Sequence, residues 1–274
     1  MLNADLVWPL RAKTPAVTFE DPTCAPEIAV VTGVEQPVLL GFRPARPNGR
    51  AMLVLGGGGY VALMAGREGV QVAHWLTGLG FYAFVLLHRF PNATHGVSAP
   101  LDDAMEALRL IRASSLAPDG LGVVGLSSGG HLAACLFAAY PEEWPQPSPP
   151  TRPDLAIIGY APISTNAKGR TIIPNKPPLP PIEKQAFYDR LQPDAQLLSS
   201  PPPAFIVYSD SDPVVPIENA LRLRAAWHAA GGSTELHIFA DAPHGFALDT
   251  KNQPVSLWPV LCEAWLRQVG FLGA

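Results

Sequence analysis

Residues 121–132 read LGVVGLSSGGHL, and this stretch decides the fold class. A short apolar run meets the pattern Gly-x-Ser-x-Gly at residues 125–129, and a helix-compatible run follows over residues 131–140. A buried strand, a sharp turn and a helix are the context in which this pattern presents a nucleophilic serine. The turn strains the dihedrals of its central residue, so the residues two before and two after it must be small. Ser127 meets this requirement, whereas Ser128 has a leucine two residues before it.

Strand-like and helix-like stretches alternate along most of the chain. Strands are predicted at 51–55, 81–87, 121–124, 155–160, 204–208 and 234–239. Helices are predicted at 69–79, 98–115, 216–230 and 254–269. Residues 27–43 suggest antiparallel edge strands, and residues 1–26 read as irregular. This alternation predicts an α/β fold with a mostly parallel, doubly wound sheet and helices on both faces.

The 274 residues fit one large α/β domain, so we expect a single domain over 1–274. Residues 161–203 are rich in proline and show little periodicity beyond a short helix near 183–191. A connection of that length inside a compact domain is usually functional. We therefore expect 161–203 to form a cap over the site.

The composition excludes several function classes. Hydrophobic residues make up 48% of the chain and charged residues 15%, which is typical of a globular protein. A net charge of −4 provides no polycationic surface, so neither nucleic acid nor an anionic membrane is expected as a partner. No apolar run approaches the length of a membrane span. Self-association is left open.

The N-terminal segment lacks a signal-peptide pattern, and the cysteines lack a metal-binding or redox pattern. MLNADLVWPLRAK lacks the basic-then-apolar order of a signal peptide, so the cytoplasm is favoured over an exported mature form. The three cysteines, Cys24, Cys135 and Cys262, are far apart and form no Cys-x-x-Cys pair. We therefore expect no metal site and no redox pair.

A serine nucleophile needs a base within hydrogen-bond reach, and that base needs a carboxylate to orient it. When the serine lies on such a turn, the acid and the histidine follow it in that order. Of the histidines beyond Ser127, His228 falls within a helix pattern and His237 within a strand pattern. His244 follows the strand 234–239 directly and precedes a glycine, so it is the predicted base.

The acid should lie on the loop after the preceding strand, which reads SDSDPVVP at residues 209–216. Two aspartates compete there. Asp212 directly precedes the segment that returns the chain to a helix, and we favour it as the partner of the histidine. Asp210 is closer to the strand end and could brace the loop through backbone N–H groups.

Acyl transfer also requires hydrogen-bond donors for an oxyanion. Four glycines at 56–59 follow the strand 51–55, and glycines leave backbone N–H groups unobstructed. A further N–H is expected from Ser128, the residue after the nucleophile. A dinucleotide-binding reading of Gly57, Gly59 and Ala62 is rejected, because no acidic residue ends the strand 81–87.

These segments together resemble the acetyl xylan esterase-like (BD-FAE-like) α/β-hydrolases, a family of carbohydrate and short-chain esterases with hormone-sensitive-lipase-type relatives. The resemblance spans about residues 6–250. The segments that carry it are Leu6-Val7-Trp8-Pro9, Gly57-Gly58-Gly59-Tyr60, Arg67-Glu68-Gly69, Val72-Ala73, Trp75-Leu76 and Gly125-Leu126-Ser127-Ser128-Gly129-Gly130-His131-Leu132-Ala133. Two positions depart from the pattern: Gly56 stands where the lipase-type relatives have histidine, and His88-Arg89 stands where the family has Tyr-Arg.

The resemblance implies a serine esterase without metal or organic cofactor, acting on short acyl esters such as acetylated sugars. It places the triad on Ser127, Asp212 and His244. It also places the oxyanion donors on the glycine run, for which we choose Gly58 and Gly59, and on Ser128.

Two other functions fit parts of the pattern. A peptidase resembling prolyl oligopeptidases would use the same triad, but no N-terminal propeller precedes this domain in the sequence. A non-catalytic binding protein on the same fold would usually lack one triad member, whereas all three are present here.

Overall fold

A central sheet of eight strands organises the part of the chain that the computed structural model describes, namely residues 1–11, 14–144 and 151–273. Its strand order is β1-β4-β6-β5-β7-β8-β9-β10, and two further strands, β2 and β3, pair in a small antiparallel sheet. The strands are β1 (Leu6–Pro9), β2 (Ala16–Phe19), β3 (Val31–Gln36), β4 (Val38–Phe42), β5 (Arg50–Leu55), β6 (Tyr82–Leu87), β7 (Gly120–Leu126), β8 (Leu155–Gly159), β9 (Ala204–Ser209) and β10 (Thr234–Phe239).

The strands from β6 to β10 in the sheet order run parallel, and β4 and β1 extend the sheet with antiparallel pairings. Every residue of β7, β8 and β9 is buried, as expected for parallel strands covered on both faces. The predicted mostly parallel α/β sheet is confirmed.

Helices connect the parallel strands and cover the sheet. They are α1 (Gln71–Gly78), α2 (Ala99–Ala113), α3 (Ser128–Cys135), α4 (Ile182–Arg190), α5 (Pro193–Gln196), α6 (Glu218–Ala229) and α7 (Trp258–Gln268). The crossover through α1 steps from β5 to β6, and the crossover through α2 steps back past β5 to β7. Because such crossovers are right-handed, α1 and α2 lie on opposite faces of the sheet.

The structure corrects several predicted boundaries. Residues 1–26 are not wholly irregular, because β1 pairs with β4 and β2 pairs with β3. The helix predicted at 69–79 begins as a π-helix at Ala65–Val70. The helix-compatible run 131–140 is helical from the turn itself and ends at Cys135. The short helix expected near 183–191 is present as α4, and Pro180-Pro181 before it is a cis peptide bond.

Candidate active site

The turn between β7 and α3 has the strained geometry that the sequence predicts. Ser127 adopts φ 53° and ψ −125°, which is rarely accessible to a residue with a side chain. A Cβ on Gly125 would collide with the carbonyl oxygen of Gly129, and a Cβ on Gly129 would collide with that of Leu55. Both flanking positions therefore have to be glycine, and the turn projects the Ser127 side chain beyond the end of β7.

The structure brings the three predicted side chains together. Ser127 Oγ lies 3.0 Å from Nε2 of His244, and Nδ1 of His244 lies 2.7 Å from Oδ2 of Asp212. The carboxylate accepts the Nδ1–H, which leaves Nε2 free to accept the proton of the serine hydroxyl. The Asp212 side chain is fully buried, whereas the His244 side chain is 22% exposed. The His244 imidazole is therefore accessible to a substrate that enters from solvent, whereas the Asp212 carboxylate that orients it is shielded from water.

The same aspartate also fixes its own loop. Asp212 Oδ1 accepts the backbone N–H groups of Val214 at 2.8 Å and Val215 at 2.9 Å. The bracing contacts considered for Asp210 thus belong to Asp212. Asp210 is exposed, and its backbone N–H donates to the carbonyl of Phe239.

The topology explains why these distant residues meet. Ser127 follows β7, Asp212 lies three residues after β9, and His244 lies five residues after β10. Strands β7, β8, β9 and β10 are parallel neighbours, so their carboxyl ends lie at one edge of the sheet. Ligands in such sheets bind beyond this edge.

The structure differs from the sequence prediction as to which backbone N–H groups of the glycine loop are free to bind an oxyanion. Gly59 N–H donates to Oγ of Ser128 at 2.9 Å, so it is engaged in this state. Gly57 N–H donates to Oε2 of Glu68 at 2.6 Å. Among the described residues, no group accepts the N–H of Gly58. Ser128 is the first residue of α3, and its N–H therefore has no partner within the helix.

Sequence reasoning missed the role of a buried carboxylate below this loop. Besides binding Gly57, Glu68 accepts the hydroxyl of Tyr160 at Oε1 with a distance of 3.0 Å. The Tyr160 hydroxyl in turn accepts the N–H of Ala247, three residues after His244. Burial raises the pKa of Glu68, and the hydrogen bonds from Gly57 and Tyr160 oppose that shift. The segment Arg67-Glu68-Gly69 carried only a family resemblance, with no periodicity or spacing that signalled this role.

A second buried network joins the glycine loop to the segment 161–203. The Tyr60 hydroxyl lies 2.9 Å from Nδ1 of His131, and Nε2 of His131 lies 3.0 Å from the carbonyl oxygen of Leu191. The Nε2–H donates to that carbonyl, so Nδ1 accepts the tyrosine proton. The Tyr60 ring also contacts Phe187 and Tyr188 of α4 edge to face. These contacts hold α4 against the loop that follows β5.

The other histidines and the cysteines that the sequence analysis considered are not part of the site formed by Ser127, His244 and Asp212. His228 is exposed on α6, and His237 is half-buried on β10. Cys135 and Cys262 are buried thiols, and Cys24 is half-buried. In the three described ranges, no group of three or more His, Cys, Asp or Glu side chains is arranged to hold a metal ion. No helix within them is long and apolar enough to cross a membrane.

Residues 53–248 match the family described as alpha/beta hydrolase fold, and the chain belongs to this family. The match includes the strained turn, the histidine loop and the parallel strands from the second half of β5 to β10. This assignment agrees with the strand order and with the meeting of Ser127, Asp212 and His244.

Two longer curated proteins are similar to this chain. It is 28% identical over 220 residues to an acetylxylan esterase of Xylanibacter ruminicola, covering 76% of this chain and 43% of that protein. It is 32% identical over 215 residues to endo-1,4-beta-xylanase B of Butyrivibrio fibrisolvens, covering 72% of this chain and 32% of that protein. The chain thus spans less than half the length of these curated relatives.

A solved structure is similar over the full length. The acetyl ester-xyloside bifunctional hydrolase from Caldicellulosiruptor lactoaceticus matches with a TM-score of 0.72 and 28% identity. The alignment covers 98% of this chain and 97% of that one. The likeness therefore includes residues 161–203 as well as the central sheet.

Proposed function

We propose that this protein is a serine carboxylic ester hydrolase that acts on short acyl esters, with acetylated carbohydrates as the substrate class. The observation that carries the proposal is the hydrogen-bonded series from Ser127 through His244 to Asp212 at 3.0 and 2.7 Å. The names of the acetylxylan esterase and of the acetyl ester-xyloside hydrolase support the acyl and carbohydrate parts of it.

In the proposed mechanism, Ser127 Oγ attacks the ester carbonyl while Nε2 of His244 takes the hydroxyl proton. Asp212 stabilises the imidazolium without taking the proton itself. The N–H groups of Gly58 and Ser128 donate to the tetrahedral oxyanion, which develops at the N-terminus of α3 where the helix dipole favours negative charge. Gly59 can join them if its bond to the Ser128 hydroxyl opens.

His244 then protonates the leaving alcohol, and the C–O bond of the ester breaks to leave an acyl group on Ser127. Water, deprotonated by the same imidazole, attacks the acyl carbonyl and releases the carboxylic acid. In this proposal residues 161–203 act as the cap over the site, because α4 packs on Tyr60 directly after the glycine loop.

The test is hydrolysis of para-nitrophenyl acetate, longer para-nitrophenyl esters and acetylated xylo-oligosaccharides by the wild type and by Ser127→Ala. We expect the wild type to favour the short acyl chains and the variant to lose activity by about three orders of magnitude or more. Equal rates for the two proteins would contradict the proposal. Cleavage of proline-linked amides in place of esters would favour the peptidase, and no reaction with a fluorophosphonate probe would favour the binding protein.

A further inference from the structure

Lys184, on α4, reaches over the glycine loop. Its Nζ lies 3.7 Å from the position that a Cβ on Gly59 would occupy. Apart from the adjacent residues of the loop, no other described group lies within 4 Å of that position. Because Gly59 carries no side chain, no atom of the glycine itself separates its backbone from the Lys184 ammonium. The cap thus holds an ammonium group beside the amides that we assign to the oxyanion.

No carboxylate in the described ranges neutralises this ammonium. Among the described residues, neither Lys184 nor Lys176 forms an ion pair, although both side chains are half-buried. The arginines of the same segment are paired: Arg170 with Asp194 and Arg190 with Glu143. Among the described residues, the cap therefore neutralises its arginines, whereas Lys176, Lys184 and the exposed Lys168 form no ion pair.

The two ammonium groups also repel each other. Burial lowers the pKa of Lys184, and the repulsion from Lys176 lowers it further. Burial lowers the pKa of Lys176 as well. An anion bound within reach of both groups would relieve both costs, since it compensates each ammonium for lost solvation and screens their repulsion.

A cavity that could admit part of a substrate lies beside Lys176. This cavity of about 660 Å³ in the cap is lined by Lys176 and Lys168, by the polar side chains of Asn166 and Gln185, by Asp189, and by Pro177, Pro178 and Pro180. The Asp189 carboxylate accepts the backbone N–H of Lys168 and the side-chain amide of Gln185. The prolines restrict the backbone of this wall, so the site needs little ordering when a ligand enters.

We propose that Lys184, assisted by Lys176, forms a subsite for a carboxylate carried by the ester substrate. This inference rests on the proposed esterase function and narrows its substrate class to anionic esters, such as acylated acidic sugars. A carboxylate matches the ammonium because a charge-assisted hydrogen bond is stronger than a neutral one. In a chain with a net charge of −4, this local positive charge would distinguish anionic substrates from neutral ones.

The experiment compares matched pairs of charged and neutral esters. The carboxylate is placed on the acyl side in para-nitrophenyl hydrogen glutarate against para-nitrophenyl pentanoate. It is placed on the alcohol side in para-acetoxybenzoate against para-acetoxybenzamide. For each pair the ratio of kcat/KM is measured for the wild type, Lys184→Met, Lys184→Arg, Lys176→Met and the exposed control Lys251→Met. Ser127→Ala supplies the background rate.

For at least one pair we expect Lys184→Met to lower the charged-to-neutral ratio by about tenfold or more. Lys184→Arg should retain most of the preference, Lys176→Met should lose a smaller part, and Lys251→Met should match the wild type. Added salt should lower the wild-type ratio. The pair that responds identifies which half of the ester carries the anion.

Unchanged ratios in Lys184→Met for both pairs would overturn the inference. So would equal losses on charged and neutral esters, which would assign Lys184 to the general chemistry of the site. Both results leave the proposed function standing, because the neutral esters are still hydrolysed in a Ser127-dependent reaction. Failure of the wild type on every ester would overturn the proposed function and this inference with it.

Discussion

The carboxylate of Glu68 accepts the hydroxyl of Tyr160 at 3.0 Å, and this bond joins the two sides of the candidate site. Through its other oxygen Glu68 holds the N–H of Gly57, directly before the amide assigned to the oxyanion. Through the tyrosine hydroxyl it reaches Ala247 on the histidine loop. A single buried acid therefore sets the spacing between the oxyanion donors and the base.

We expect Glu68→Gln to lower kcat about tenfold to hundredfold, the effect of weakening a hydrogen bond to a buried charged group. An amide presents one oxygen in place of two, so either Gly57 or Tyr160 loses its acceptor. KM should change much less, because the residue does not contact the substrate. Steady-state kinetics on para-nitrophenyl acetate measure both values, and the control is Glu263→Gln on α7, whose carboxylate pairs with Arg267. Unchanged kcat would exclude this positioning role.

The choice between the two aspartates predicts a sharp contrast between two isosteric variants. Asp212→Asn should lower kcat/KM by about 10³ to 10⁴-fold, since the amide cannot stabilise the imidazolium. Asp210→Asn should change it by less than about threefold, because that side chain is exposed. The measurement is ester hydrolysis at one pH for both proteins. Equal losses would show that the loop rearranges and that the assignment is wrong.

Gly58 should not tolerate a side chain. Its φ is +129°, and a Cβ would lie 2.6 Å from the carbonyl carbon of Ala62. We expect Gly58→Ala to move the N–H away from the oxyanion and lower kcat by about 10²-fold or more.

The control for that variant is Gly78→Ala, at the end of α1, where no described atom outside the helix's own backbone and the adjacent residues lies within 4 Å of the added methyl group. It should retain full activity and gain up to about 1 kcal/mol of stability from helix propensity. Similar activity in the two variants would rule out the oxyanion assignment of Gly58.

The His131 network predicts loss of stability in acid. Burial lowers the pKa of His131 from 6.5 to about 4 in the folded protein. Between these values the unfolded chain binds a proton that the folded protein does not, so stability falls as the pH falls. Full protonation costs about 3 kcal/mol of unfolding free energy by this linkage.

Urea unfolding at pH 7 and pH 4.5 measures this effect in the wild type and in His131→Gln. The variant cannot titrate at this position, so its stability should decline less over the same interval. Other groups titrate in both proteins and cancel in the comparison. Parallel declines would mean that the imidazole is not held neutral between Tyr60 and Leu191.

Local sequence patterns were sufficient to predict much of the fold. The apolar runs at 51–55 and 234–239 became β5 and β10 within a residue of their predicted ends. Prediction failed where pairing depended on distant segments, as for β1, whose partner β4 lies about thirty residues further along the chain. It also misjudged the end of α3, because the run beyond Cys135 continues to look helical in the sequence.

The sequence by itself determined the turn at Ser127 and the order of serine, acid and histidine. The steric limits on the residues two before and two after the serine depend only on neighbouring residues. The polar residues that follow each strand can be located from the spacing of the apolar runs along the sequence. Only the tertiary structure decided which glycine amide stays open, which aspartate faces His244, and that Glu68 and Lys184 meet the glycine loop. Those choices depend on contacts between atoms far apart in the chain, which no local pattern encodes.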